Sequence, residues 1–130
     1  MSVQIEVSYG ELLDKITILE IKSQRMSDPQ KQANVGRELA ALSRVWSAIE
    51  LGAVAAEVAE TRLALRAVNE QLWDIEDDIR QQEREQRFNA EFIALARSVY
   101  QVNDERSRQK RRIDQLLGSR LVEEKSYAPY

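Results

Sequence analysis

Along most of the chain, apolar residues recur three and four positions apart, the spacing that lines one face of a helix. The first residues differ. Val3, Ile5 and Val7 alternate with Gln4 and Glu6, which predicts a short extended segment whose apolar edge lies against the rest of the molecule. Ser8 and Glu11 then form a capping box, each side chain placed to bond the other's free backbone N–H, and Leu12, Leu13, Ile16 and Leu19 follow at helical spacing. The first helix is predicted from Tyr9 to Met26. Asp28-Pro29 is a second start, a capping carboxylate before the residue best tolerated at the first helical position, and Val35, Leu39, Leu42, Trp46 and Ile49 carry the stripe toward Gly52. A third helix is predicted from Val54 to Gln86, with Val58, Leu65, Val68, Leu72, Ile75 and Ile79 facing inward. Asn89 caps a fourth, marked by Phe92, Leu95, Ala96, Val99, Ile113 and Leu117 and stopped by Gly118, which tolerates the left-handed backbone of a helix end.

Short connections near residues 27, 52 and 87 make consecutive helices antiparallel neighbours. The predicted fold is therefore all-α, a single domain over residues 1–130 built as an up-down bundle of two helical hairpins. Its last two helices, each ~45 Å long at 1.5 Å per residue, should overhang the shorter first pair. Residues 119–130 show no periodicity and form a C-terminal tail, whose Tyr127 and Tyr130 are available to dock on the bundle or on a partner.

Polar residues interrupt this pattern at one level. Asn103, Arg106 and Lys110 lie within ~40° of Phe92 at 100° per residue, in the middle of the fourth helix's apolar face. No apolar residue stands between Val102 and Ile113. Burying such groups unpaired is costly, so partners must face them or water must reach them. Antiparallel pairing about residue 87 brings Asn69 near Arg106. Glu20, between Ile16 and Leu13 on the first helix, is the predicted partner of Arg106 or Lys110; Glu76, near the centre of the third helix's apolar face, is a second acid. Three readings remain: a structural layer that sets the register of the helices, a pocket in which Arg106 and Lys110 grip an anion, or a break that turns these residues outward. The ligand-binding candidates are Glu20, Arg97, Asn103, Arg106 and Lys110.

Composition narrows the chemistry. Hydrophobic residues make up 43% and charged residues 32%, with only four Gly and two Pro, which suits long amphipathic helices rather than sheets. Without Cys or His there is no disulfide, no thiolate or imidazole ligand, no cysteine nucleophile and no imidazole base, and neither a metal nor a cofactor is expected. Nineteen basic against twenty-two acidic residues give a net charge of −3, which argues against a general affinity for nucleic acid or anionic membrane. Arg106, Arg108, Lys110, Arg111 and Arg112 do place five positive charges in seven residues. Asp104, Glu105 and Asp114 flank them, and no exposed aromatic is interleaved for base stacking, so nucleic acid is not the expected partner.

The acidic run Glu70, Asp74, Glu76, Asp77 and Asp78 reads as a solvated face. Glu57-x-x-Glu60 and Glu11-x-x-Asp14 stand in the reverse of the order found in all-α magnesium pyrophosphohydrolases. The segment Arg112-Ile-Asp-Gln-Leu-Leu117 looks like part of the opening helix of chorismate mutases, but Gly118 stops it early and no catalytic position carries over. The longest apolar run, Leu51 to Ala56, falls far short of the ~20 residues that span a bilayer. The amino terminus lacks a basic segment followed by an apolar one, so a cytoplasmic location is expected.

Three segments carry a resemblance over nearly the whole length: Gly10-Glu-Leu-Leu-Asp-Lys-Ile-Thr-Ile-Leu-Glu-Ile-Lys22, Leu95-Ala-Arg-Ser-Val-Tyr-Gln-Val-Asn-Asp104 and Glu123-Glu-Lys-Ser-Tyr127. They resemble an uncharacterised bacterial family of short, all-helical proteins, a domain of unknown function. The resemblance implies a helical fold, a bacterial origin and an association with cell-surface glycan loci, and it transfers no activity. Its motif-bearing positions, Glu11, Asp14, Lys15, Glu20, Lys22, Arg97, Tyr100, Asn103, Asp104, Lys125 and Tyr127, overlap the polar layer. The expected function is a non-catalytic interaction or accessory module that self-associates through its long helices or binds a partner protein. The alternative is a small helical lyase, mutase or transferase, or a binding protein, for an anionic and glycan-related metabolite. In that alternative Arg97, Arg106 and Lys110 hold the anion and Glu20 serves as acid or base.

Overall fold

In a computed structural model describing residues 1–130, four helices follow in the predicted order: α1 (Tyr9–Arg25), α2 (Pro29–Ser47), α3 (Ala55–Arg84) and α4 (Ala90–Leu117). Their boundaries follow the capping chemistry. The Ser8 hydroxyl accepts from the Glu11 N–H at 3.1 Å, and Asp28 accepts from the Gln30 and Lys31 N–H groups at 2.9 and 3.1 Å. Asn89 accepts from Phe92 at 3.3 Å, and Gly118 closes α4 with φ of 65°. Helix α2 ends at Ser47, short of the expected Gly52. There the chain tightens through a bond from the Ala48 N–H to Val45, and a 3-10 turn at Gly52–Val54 brings Leu51 and Val54 onto the core.

The bundle is organised around α1. This helix packs against all three others, whereas α2 packs chiefly on α1 and α3 and α4 form a long antiparallel pair. Burial follows from that arrangement. Leu12, Leu13, Ile16, Leu19 and Ile21 of α1 are all buried, on more than one face, while α2 buries Val35 alone. At the end of the bundle where α1 begins and α4 ends, Leu13, Val58, Leu65 and Ile113 form a cluster roofed by Tyr9, Trp46, Leu116 and Leu117. Each such side chain contributes roughly 1.5–3 kcal/mol through burial.

Seventeen residues of α1 cannot cover the thirty of α3 or the twenty-eight of α4. The far half of the α3–α4 hairpin therefore projects, as the lengths predicted. Glu76 is exposed and paired with Arg80 instead of serving as an inward acid. The amino-terminal segment also departs from expectation. Val3 and Ile5 are 89% and 77% exposed. The segment does not lie on the bundle, and Glu6 pairs with Arg120 at the surface.

Gly10 marks the closest approach between helices. A Cβ built there would lie 2.3 Å from the Lys110 carbonyl oxygen and 2.9 Å from Asp114 Oδ1. Gly36, by contrast, faces open space on α2. The same substitution should therefore act in opposite directions at the two sites. Gly10→Ala is expected to lower stability by ~1–3 kcal/mol through overpacking. Gly36→Ala should raise it by ~0.5–1 kcal/mol by removing chain entropy from a helix interior. Urea unfolding of the two variants reads both signs.

Candidate functional site: a buried ion-pair layer between two clefts

Eight of the twenty buried residues are polar or charged, and three of them, Asp14, Thr17 and Asn69, meet at one level of the bundle. Asp14, 1% exposed, sits at the centre. Arg106 of α4 grips it side-on, with Nε donating to Oδ1 at 2.9 Å and Nη2 donating to Oδ2. Asn69 of α3 donates to the same Oδ1 at 3.0 Å and to Thr17 Oγ1 at 3.0 Å, while the Thr17 hydroxyl donates to the Asp14 carbonyl at 2.8 Å. Three helices thus contribute to one closed set of bonds, as a buried charge requires. The hydrogen bond to Asp14 holds the Arg106 guanidinium above its ordinary range, against the burial that opposes its charge.

One turn further along α4, Lys110 is 5% exposed and pairs with Glu11 at 2.7 Å and Glu123 at 3.1 Å. Burial works against its charge, but Glu11, Asp14 and Glu123 outweigh that effect and keep the amine above the usual lysine value. One turn beyond, Asp114 accepts the Gly10 N–H at 2.7 Å, which ties the first turn of α1 to the end of α4. Its Oδ2 is buried without a partner. Burial raises the Asp114 carboxyl above the usual carboxylate range, and the Gly10 N–H and nearby Ser8 hydroxyl offset only part of the rise.

The candidate residues named from sequence separate into three places. Arg106 and Lys110 lie in the layer, and Asn103 joins them around a polar notch of 40 Å³ beside Ser107, Glu123 and Lys125. Arg97 is exposed, with Nε 3.4 Å from the Tyr100 hydroxyl. Glu20 is not the partner of Arg106. It pairs with Arg62 and Arg66 of α3 at 3.4 and 3.5 Å, because α1 is buried on several faces and Glu20 belongs to the face turned to α3. The acid that meets Arg106 is Asp14. Its signal in sequence was the stripe Gly10, Asp14, Thr17, Ile21, spaced four, three and four, a helical face as regular as the apolar one.

Two clefts flank the layer. The C-terminal tail folds back on α4 through ion pairs from Lys110 to Glu123 and from Arg111 to Glu124. Tyr130 donates to Asp104 at 2.6 Å and stands edge-on to Tyr100, with centroids 5.0 Å apart. Between tail and helix runs a cleft of 570 Å³ lined by Val99, Tyr100, Asn103, Lys125, Tyr127 and Tyr130. A second cleft of 440 Å³ is lined by Arg106 and Asn69 of the layer together with Ile18, Leu72 and Trp73. No three carboxylates converge to hold a metal ion, and no helix is long and apolar enough to cross a membrane.

These features define an all-helical bundle keyed by an internal ion-pair layer. The chain belongs to a family of unknown function, DUF6165, whose pattern it matches over residues 3–129. Comparison with curated proteins and with solved structures found no significant match.

Two measurements test the layer. Arg106→Ala should lower stability by ~3–5 kcal/mol, since it strands the buried Asp14 carboxylate, and Asp14→Ala by less, since Arg106 is 30% exposed and can hydrate; a double-mutant cycle should give a coupling above ~1 kcal/mol. Glu20→Ala should lose under ~1 kcal/mol and add to Arg106→Ala without coupling; a Glu20–Arg106 coupling as large as that of Asp14 would contradict the assignment. Asp114 gives a pH signature. Its folded pKa is raised, so the folded state binds the proton more tightly, and this contribution to stability is lost as pH rises from the ordinary carboxylate range through the raised value. Asp114→Asn should remove that downward slope from the urea-unfolding profile as pH rises above the ordinary carboxylate range of about 4.

Proposed function

We propose that the protein is a non-catalytic interaction module of the cytoplasm that self-associates through the projecting half of its α3–α4 hairpin. One observation carries this. Phe92, Leu95, Ala96, Val99 and Val102 recur at helical spacing, yet no residue of α4 before Lys110 is fully buried. Phe88 and Ile93 beside them are 54% and 55% exposed. An apolar stripe of this length gains little from packing on α3 alone, and a cover is worth ~25 cal/mol for each Å² it removes from water.

Charge supports a second copy as the cover. Along α3 and its turn, the acids Asp74, Glu76, Asp77 and Asp78 are followed by Arg80, Arg84 and Arg87 interspersed with Glu83 and Glu85, and Arg80 and Arg87 pair with Glu76 and Glu85 within the chain. Two hairpins laid antiparallel across a two-fold axis would set the unpaired Asp77 and Asp78 of each toward Arg84 of the other, an isologous arrangement. The anionic-metabolite reading draws less support, because Arg106 and Lys110 already carry internal carboxylate partners.

Sedimentation equilibrium from micromolar to hundred-micromolar protein should show a dimer, and Ile93→Glu should return it to monomer with its helical circular-dichroism signal intact. A monomer throughout that range, or a dimer indifferent to Ile93→Glu, rules the arrangement out.

A further inference from the structure

The cleft beside Trp73 contains an unusual pair of idle groups. Asn69 is 5% exposed, and both of its bonds use the amide nitrogen. That orientation is fixed, because a carboxylate oxygen of Asp14 accepts one of those bonds and cannot donate. The Asn69 carbonyl oxygen, Oδ1, therefore points away from Asp14; no protein donor reaches it, and it is not sealed in the interior. Arg106 has the complementary vacancy. Its Nε and Nη2 are committed to Asp14, and Nη1 makes no bond within the protein. Both side chains converge on one oxygen, Asp14 Oδ1, and both line the same cleft. A free acceptor and a free donor thus belong to two side chains that share Asp14 Oδ1 as a partner and line one cleft.

The rest of the cleft indicates what would satisfy them. Its apolar lining is Ile18, Leu72 and the indole of Trp73, with the Arg25 guanidinium 5.9 Å from the ring centroid. An indole beside apolar side chains suits a flat ring. At the rim, Glu76 and Arg80 pair with each other at 3.4 Å, while Asp77 makes no ion pair. Arg106 is neutralised by Asp14. The cleft therefore has no surplus positive charge to hold a phosphate or a carboxylate. Its 440 Å³ lies within the ~300–1,000 Å³ of small-molecule pockets.

We propose that this cleft binds a neutral planar heterocycle whose edge carries a hydrogen-bond acceptor beside an N–H donor, the class to which nucleobases belong. The ring rests against Trp73. Its acceptor takes the free Arg106 Nη1–H, and its N–H donates to Asn69 Oδ1, the pairing by which proteins read the edge of an unstacked base. Asp77 is placed to accept from a hydroxyl on a substituent of the ring, which favours a nucleoside over the bare base. The cleft rests on α1, α3 and α4 of one chain, but its rim residues Glu76, Asp77 and Arg80 belong to the face proposed to dimerise, so binding is read at a concentration where the protein is monomeric.

The test uses the full-length protein, labelled with ¹⁵N and titrated with uridine, cytidine, adenosine and guanosine. At least one should move the Trp73 indole and Asn69 side-chain amide resonances along a saturable curve at millimolar concentration or below. Its 5′-monophosphate should bind no more tightly. Methylation of the N–H edge (3-methyluridine, N,N-dimethyladenosine, N,N-dimethylcytidine or 1-methylguanosine, to match the nucleoside that binds) should weaken binding at least ~10-fold, since it removes the donor to a buried carbonyl. Blocking the ligand avoids disturbing Asn69, whose replacement threatens the fold. Trp73→Leu, at a half-exposed position, should weaken binding by a similar factor, read from the Asn69 amide. No saturable shift with any of the four nucleosides overturns the proposal, as does equal affinity for the methylated edge or for Trp73→Leu.

Discussion

The ion pair between Asp14 and Arg106 is the constraint on which the bundle turns. A carboxylate at the centre of a helix packed on several sides has no route to water, so folding must supply donors from other elements or leave a charge stranded. Arg106 from α4 and Asn69 from α3 supply them. The three helices can meet at that level in one register only, because a shift of a residue along any of them swings a required side chain out of reach. Such a pair adds little net stability, since desolvation of both charges cancels much of their attraction. Its effect is selection: other packings of the same apolar stripes lose the donors and keep the charge.

The tight junction at Gly10 extends this constraint. Asp114 accepts the Gly10 N–H, and Lys110 meets Glu11, so the first turn of α1 is held against the last turns of α4 by bonds that tolerate no intervening Cβ. The anchored end is compact, with Leu13, Val58, Leu65 and Ile113 beneath it. The opposite end is a two-helix projection, because α1 stops at Arg25 while α3 continues to Arg84. Stability is thus concentrated at one end and apolar surface at the other, a division that leaves the projecting hairpin available for contact without loosening the core.

Electrostatics gives the layer a different character from an anion trap. Arg106 and Lys110, which a helical wheel marks as cations inside an apolar face, are neutralised by Asp14, Glu11 and Glu123. Toward the Trp73 cleft the network leaves over two directional groups, the Arg106 Nη1 edge and the Asn69 carbonyl oxygen. Buried polar groups arranged in this way favour a neutral partner of matching pattern over a charged one, because a hydrogen-bond edge can be matched without taking a charge out of water.

The helices and most of their boundaries, though not the end of α2, were legible in the sequence because capping and periodicity act over a few residues. Ser8, Asp28, Asn89 and Gly118 terminate helices through bonds to their own neighbours, and no distant element can alter that chemistry. The polar layer was legible as a defect, since Asn103, Arg106 and Lys110 occupy positions where the α4 stripe demands apolar side chains. Its pairing was not. Glu20 and Asp14 lie on different faces of α1, and a wheel centred on one apolar stripe favours Glu20; only the packing of α1 between α2 and the α3–α4 pair turns Asp14 toward Arg106 and Glu20 toward Arg62 and Arg66. Likewise, the apolar alternation of Val3, Ile5 and Val7 predicted a docked segment, but docking depends on whether the fold presents a strand or groove there, and it presents neither. Local bonding decided where each helix begins and ends; which of its buried charges meet was decided by the angles at which the helices pack, which are set by the shapes of side chains from distant parts of the chain.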